Sequence, residues 1–263
     1  MNVDDMLAEY EKIMKPVFLR FDLLETQTYL KKFSPGYGHI HAITRVYNLI
    51  CAGGLTSYHG SSAWPLIWPA MSGAYDLGLD KLGDCLKSMI FYYHRSGRSK
   101  LKRMIPEDFF AGFSIDESLK PGDLTSAYYD LYRGIGKDEF GWVPRDLFPQ
   151  IMSSHAEKFA PPPFRVPPVP EAGFCSISKN VTLKNEPISL CIRFQTDEPK
   201  MSGWQFYGQT ETVKMINDPD IWSTCPLGVA AIFEPRILDF YKEKAAPKVS
   251  YERELDGTFT RII

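Results

Sequence analysis

Six prolines fall within ten residues, 161 to 170, of the stretch KFAPPPFRVPPVPEAG that runs from Lys158 to Gly173. Each proline removes a backbone donor and holds φ near about −65°, so neither a helix interior nor an inner strand runs through this segment. The chain therefore reads as two halves joined by an extended, semi-rigid spacer. The expected organisation is a helical domain over 1–157, a linker over 158–173 and a second domain over 174–263. With 263 residues, two domains are also what length favours, since one core rarely serves much more than about 200.

Before the spacer, apolar residues recur at helical spacing. Met6, Tyr10, Ile13 and Met14 form one such face, Ile43, Val46, Tyr47 and Ile50 a second, and Leu79, Leu82, Leu86, Met89, Ile90 and Tyr93 a third. Gly53-Gly54, Pro65, Pro69, Gly73 and Pro106 punctuate this half. Asp123 or Thr125 is expected to cap a helix in LTSAYYDLYRGIG that ends on Gly134 or Gly136.

Beyond the spacer the period changes. Phe174–Ser178, Ile188–Gln195, Gly203–Gly208, Val249–Glu254 and Thr258–Ile263 are short and rich in β-formers, and Asp256-Gly257 between the last two signals a hairpin. Leu227–Lys244 reads as one or two helices broken near Pro235. The fold class is therefore α+β, with a mainly helical first domain and a mostly antiparallel sheet in the second.

Thirty basic and 32 acidic residues give a net charge of −2, too little field to capture nucleic acid or an anionic membrane, so neither is expected as a partner. Five cysteines without CxxC spacing fit reduced, mostly buried thiols. The start, MNVDDMLAEYEKIMK, is acidic and amphipathic, unlike a signal peptide, and a cytoplasmic protein is expected.

Three stretches offer chemistry. His39, Ile40 and His41 read as an extended loop entering a helix, and with His59 they supply the donors of a three-histidine metal site, although neither HExxH nor Cys/His pairing is present. A metal-dependent hydrolase or nucleotide-modifying enzyme is the alternative this cluster keeps open. Ser57, His59, Ser61 and Ser62 are the residue types of a nucleophile and base, but they lack a GxSxG elbow and a nearby carboxylate. Arg95–Arg103 holds five cations in nine residues and suits a helix C-terminus or an acidic partner.

In SGWQFYGQTETVKMINDPD, Ser202 to Asp220, an aromatic strand leads to Glu211 and then to a turn with Asp218 and Asp220. Asn217-Asp218-Pro219-Asp220 has turn composition, because Asx side chains satisfy local N–H groups and Pro219 fixes φ. Trp204 alternates with Phe206 and is assigned to the core, whereas Trp222 combines a large apolar ring with a polar edge. No histidine follows His155, so this half lacks the commonest proton shuttle.

This stretch, together with PLGVAAIFEPRILDFYKEKAAPKVSYERELDGTF, resembles a family of bacterial polymorphic-toxin immunity proteins, immunity family thirty-three, formerly a domain of unknown function. The resemblance rests on Ser202, Gly203, Trp204, Phe206, Gly208, Glu211, Thr212, Asn217, Asp218, Pro219, Pro226, Leu227, Glu252, Arg253, Asp256, Gly257 and Phe259. Glu234-Pro235 stands where the family tends to have Asp-Pro. The first half is weakly similar to a helical domain found in similar neighbourhoods, through RVYNLICAGGLTSYHGSSAW and AYDLGLDKLGDCL.

The resemblance implies a protective binding protein, not an enzyme, whose partner is a cognate toxin protein. It transfers no catalytic residue, cofactor or metal. The candidate partner-binding residues are Glu211, Asp218, Asp220 and Trp222.

Overall fold

The computed structural model describes residues 3–17, 21–96, 105, 109–111, 113, 118–135, 147–159, 173–243 and 248–262. Most of the proline-rich spacer, 160–172, lies outside these residues. Two structural units emerge, Met1–Leu7 with Ser34–Ala160 and Ala8–Phe33 with Pro161–Ile263. The second unit thus draws a segment from near the start of the chain, and the first unit's bulk is inserted between its two pieces.

Helix α1 (Val3–Met14) runs from one unit into the other. The first unit continues with α3 (Pro35–Gly60), α4 (Ile67–Asp76), α5 (Asp80–Arg95), α6 (Pro121–Ile135) and α7 (Leu147–Ser154). Ser34 is extended and Pro35 occupies the first helical turn, where its missing N–H costs nothing. This corrects the expected loop at His39–His41: both lie inside α3, on directions about 200° apart. Gly54, at φ 71°, breaks the helical conformation within α3, a left-handed position open to glycine. Helix α6 likewise starts earlier than expected, at Pro121. The carboxylate of Asp123 accepts the N–H of Lys120 at 2.8 Å, and Thr125 Oγ1 donates to the carbonyl of Pro121 at 2.8 Å.

The helical stripes pack as their spacing requires. Ile43, Val46, Tyr47 and Ile50 of α3 and Leu82, Leu86, Met89, Ile90 and Tyr93 of α5 are all buried. Tyr47 stacks on Tyr132 at 3.7 Å between centroids, and Tyr128 donates its hydroxyl to the carbonyl of Ile43 at 3.3 Å. Asp80 at the start of α5 and His94 and Arg95 at its end complement the helix dipole.

The second unit contains α2 (Leu23–Leu30), β1 (Phe174–Ser178), α8 (Lys179–Lys184), β2 (Ile188–Phe194), β3 (Met201–Gly208), α9 (Val213–Ile216), β4 (Trp222–Pro226), α10 (Leu227–Phe233), α11 (Ile237–Phe240), β5 (Lys248–Arg253) and β6 (Phe259–Arg261). The six strands are ordered β4-β1-β3-β2-β5-β6, and only β1 and β3 pair in parallel. The α+β class and the mostly antiparallel sheet are as expected. Pro235 separates α10 from α11, and Gly257 takes φ 85° in the hairpin between β5 and β6.

Cross-strand register assigns the faces. Cys175, Ile177, Cys191, Trp204, Phe206, Ser223, Cys225 and Val249 share one face and are buried. Helices α2, α10 and α11 cover it: Tyr29 and Phe21 reach Phe233, and Phe240 packs on Trp204 and Tyr251. Each large apolar side chain buried here, such as Phe206, contributes about 2–3 kcal/mol of transfer free energy. The opposite face carries Trp222, Ser176, Gln205, Tyr207, Leu190 and Ile192, of which all but Tyr207 keep partial exposure.

Helix α2 is attached through a buried carboxylate. Asp22 and Glu25 form a capping box, in which Asp22 Oδ1 accepts the N–H of Glu25 at 2.8 Å and Glu25 Oε2 accepts the N–H of Asp22 at 3.1 Å. The other oxygen of Glu25 accepts Thr182 Oγ1 of α8 at 2.5 Å and Ser223 Oγ of β4. Glu25 is only 3% exposed. Four cysteines are buried and Cys51 is exposed, all as free thiols.

Candidate functional site

The strand register brings five connections to one end of the sheet. These are the end of β1, the loop before β2, the loop after β3, the turn before β4 and the β5–β6 hairpin. Glu186, Glu211, Asp218, Asp220, Glu254 and Asp256 all lie there, although they are spread over more than 70 residues of sequence.

Ser178 organises the centre of this end. It is fully buried at the close of β1, accepts the N–H of Asn180 at 3.0 Å to cap α8, and donates its hydroxyl to Glu211 Oε1. Glu211 Oε2 is shut off from solvent and has no hydrogen-bond partner. Glu186 approaches from the loop before β2, where Thr210 donates both its N–H, at 3.2 Å, and its hydroxyl, at 2.8 Å. Gly208 lies beneath both acids. A Cβ placed on it would sit 2.9 Å from Glu211 Oε2 and 3.0 Å from Glu186 Oε2, so those two oxygens lie within about 6 Å of each other. Among the described residues neither carboxylate forms an ion pair.

The aromatic part of the site flanks Ser178. Trp222 is its direct partner on β4, while Tyr207 follows Phe206, the partner of Ile177, on β3. The two rings meet edge to face at 5.0 Å. Trp222 is half-buried and donates its indole N–H to the carbonyl of Ile216 at 3.2 Å, which leaves ring surface exposed but fixes its orientation. Tyr207 donates to Gln205 Oε1 at 2.6 Å; burial, and secondarily the charge of Glu211, pushes its phenol upward.

Of the four candidates, Glu211 and Trp222 therefore converge around Ser178. Asp218 and Asp220 stand exposed in the turn leading into β4, where Asp218 Oδ1 accepts the N–H of Asp220 at 2.9 Å. Glu186 and Tyr207 complete the cluster and escape a linear reading. Tyr207 betrays itself only by strand parity, being one residue out of phase with Trp204 and Phe206. Glu186 carries no local signal, because the antiparallel pairing of β2 with β3 is what brings it to Glu211.

The other candidate chemistry disperses. His39 Nε2 lies 3.1 Å from the carboxylate of Asp76, and burial lowers its pKa. His41 is 2% exposed, and burial followed by the charge of Arg45 lowers its pKa to about 3. His59 stacks on Tyr93 at 3.7 Å. Among the described residues no group of three or more His, Cys, Asp or Glu is arranged to hold a metal ion. Ser57 is exposed, and the Ser61 hydroxyl donates to the carbonyl of Tyr58 at 2.7 Å. Of the basic stretch, Arg95 ends α5, and 97–103 lie outside the described residues. No described helix is long and apolar enough to cross a membrane.

Residues 175–263 match the family model of the Immunity protein Imm33 domain, which spans β1 to the end of the chain and contains the whole cluster around Ser178. The resemblance read from the sequence thus holds for this stretch. Comparison with curated proteins and with solved structures returns no match.

Proposed function

We propose that this protein protects its cell by binding a cognate toxin protein one to one and occluding it, using the end of the sheet that holds Glu211, Asp218, Asp220 and Trp222. The observation that carries the reading is the match over 175–263 to a domain described as the Immunity protein Imm33 domain. The site's chemistry agrees with docking. A half-buried tryptophan beside carboxylates that form no ion pair among the described residues supplies an anchor and a steering charge, the two components of a specific protein interface of about 1,600 Å².

On this reading the protein acts in the cytoplasm, without a cofactor and without turnover, and neither nucleic acid nor membrane is its target. A cognate toxin is the natural ligand to test. Co-expression should yield a one-to-one complex, and growth rescue should require at least equimolar protein. Rescue at a small fraction of the toxin dose would indicate catalysis and end the proposal.

A further inference from the structure

Two of the four buried cysteines face each other. Cys175 of β1 and Cys225 of β4 are direct partners in the antiparallel ladder, both are fully buried, and their sulfurs lie 3.8 Å apart. The Cys175 thiol also donates to the carbonyl of Cys225 at 3.4 Å, which turns it toward its partner strand. The backbone supplies an independent measure. Leu227 donates its N–H to the carbonyl of Gly173 at 3.1 Å, and bonded and non-bonded pairs alternate along an antiparallel ladder, so Cys175 and Cys225 form a bonded pair as well. Their Cα atoms are then about 5.5 Å apart, inside the span of about 4.4–6.8 Å that a disulfide bridges. By contrast, β3 separates Cys191 of β2 from β1, and Cys85 lies in the first unit against the carbonyl of Leu124 at 3.8 Å.

The closed sheet keeps this pair reduced. Burial first, then the hydrogen bond and charge of Cys175 and the charge of Glu25, push the Cys225 thiol well above its usual range. Thiol–disulfide exchange needs the thiolate and access to it, and both are withheld here. Strand β4, however, is an edge of the sheet, with β1 as its one strand neighbour among the described residues. It is the strand that can part from the sheet while every other ladder stays intact. We infer that Cys175 and Cys225 are a reversible dithiol–disulfide couple, oxidised by low-molecular-weight disulfides when β4 opens, and that the bridge staples β4 to β1.

One cysteine, as thiolate, attacks a sulfur of the oxidant and expels one thiolate, leaving a mixed disulfide. The second cysteine then attacks the protein-side sulfur of that bond and expels the other half of the oxidant. The protein gives up two protons and two electrons, the oxidant becomes two thiols, and an excess of reducing thiol reverses both steps. The bridge joins positions 50 residues apart and encloses β2, β3 and the turn with Asp218 and Asp220. It also fixes the strand that begins with Trp222 and supplies Ser223 to Glu25. None of this chemistry depends on toxin binding.

The test uses the full-length protein with Cys51→Ser, which removes the exposed thiol and with it cross-linking between molecules. The folded protein is equilibrated with oxidised and reduced glutathione over a range of ratios, quenched in acid, alkylated, digested and read by mass spectrometry. Two thiols should disappear together, the Cys175 and Cys225 peptides should become one linked species, and Cys85 and Cys191 should remain free to alkylate. Urea-unfolded protein should lose its thiols at least about tenfold faster in the same buffer. In the bridged form, amide hydrogen exchange across 222–226 should slow about tenfold or more, and dithiothreitol should restore it. Four free thiols at every ratio, glutathione adducts that never close, or a bridge through Cys85 or Cys191 overturns the couple. Equal rates in folded and unfolded protein overturn the need for β4 to open, and exchange unchanged by the bridge overturns the staple. Cys225→Ala should abolish the paired loss of thiols; if that variant does not fold, the linked peptide from the protein with an intact core decides.

Discussion

Glu25 is buried and Glu211 is partly so, with one oxygen shut off from solvent, and both accept serine hydroxyls in the same unit, yet their surroundings are opposite. Glu25 receives Thr182, Ser223 and the N–H of Asp22, and it joins α2 to α8 and β4. Glu211 receives Ser178 through one oxygen and nothing through the other. The difference separates a carboxylate that completes the fold from one left incomplete by it. A filled hydrogen-bond shell ties elements together, and a half-filled one leaves an acceptor that the fold does not use.

That contrast breaks most readily at Glu25. Glu25→Ala leaves two buried hydroxyls and a helix-capping N–H without their acceptor, and should cost about 3 kcal/mol, or about 6–12 °C in melting temperature. Thermal unfolding measured by circular dichroism checks it, and a loss below about 1 kcal/mol would place Glu25 with Glu211.

His41 supplies a third case, a buried polar side chain in the helical unit whose Nε2 has no hydrogen-bond partner. Its pKa falls from 6.5 unfolded to about 3 folded, so between those limits the unfolded chain takes up a proton that the native state refuses. Stability should therefore fall as pH falls, by about 1.4 kcal/mol per pH unit from this group, and be insensitive to it above pH about 7. Denaturant titrations between pH 7 and 4 should show a shallower slope in His41→Gln than in the parent, whatever that substitution does to stability at neutral pH.

The smallest effect sharpens the comparison from the other side. Glu211→Gln keeps an acceptor for Ser178 and removes only charge, so stability at neutral pH should change by less than about 0.5 kcal/mol. A large loss would mean that Glu211 holds the loop after β3 in place as Glu25 holds α2.

Much of the second unit is written in local pattern. Strand alternation places Trp204 and Phe206 in the core, Asp256-Gly257 marks the hairpin, and Asp218 forms the Asx contact that its turn composition suggests. Strand β4 is less visible, because its five residues end on Pro226 and follow closely on Pro219, so that they look like loop. The helical faces of α3 and α5 show that they are buried, but period alone cannot say which core a helix serves. Nothing in α2 announces that Tyr29 will lie near Phe233. Within the site, Glu211 and Trp222 stand out because they occupy a composition unlike filler. Glu186 and Ser178 do not, since they matter only through pairings that connect distant strands.

The assembly of the second unit from two separated pieces of chain also sets a timetable for its birth on the ribosome. Tyr29 emerges about 200 residues ahead of Phe233, which at roughly 5–20 residues per second is a wait of about 10–40 s. During that interval the apolar side of α2 has no sheet to cover, while most of the inserted helical unit has already been synthesised. Completion of the second unit is then gated by synthesis of the last strands, and a truncated product that stops in the proline-rich stretch would carry the helices of the first unit but none of the sheet.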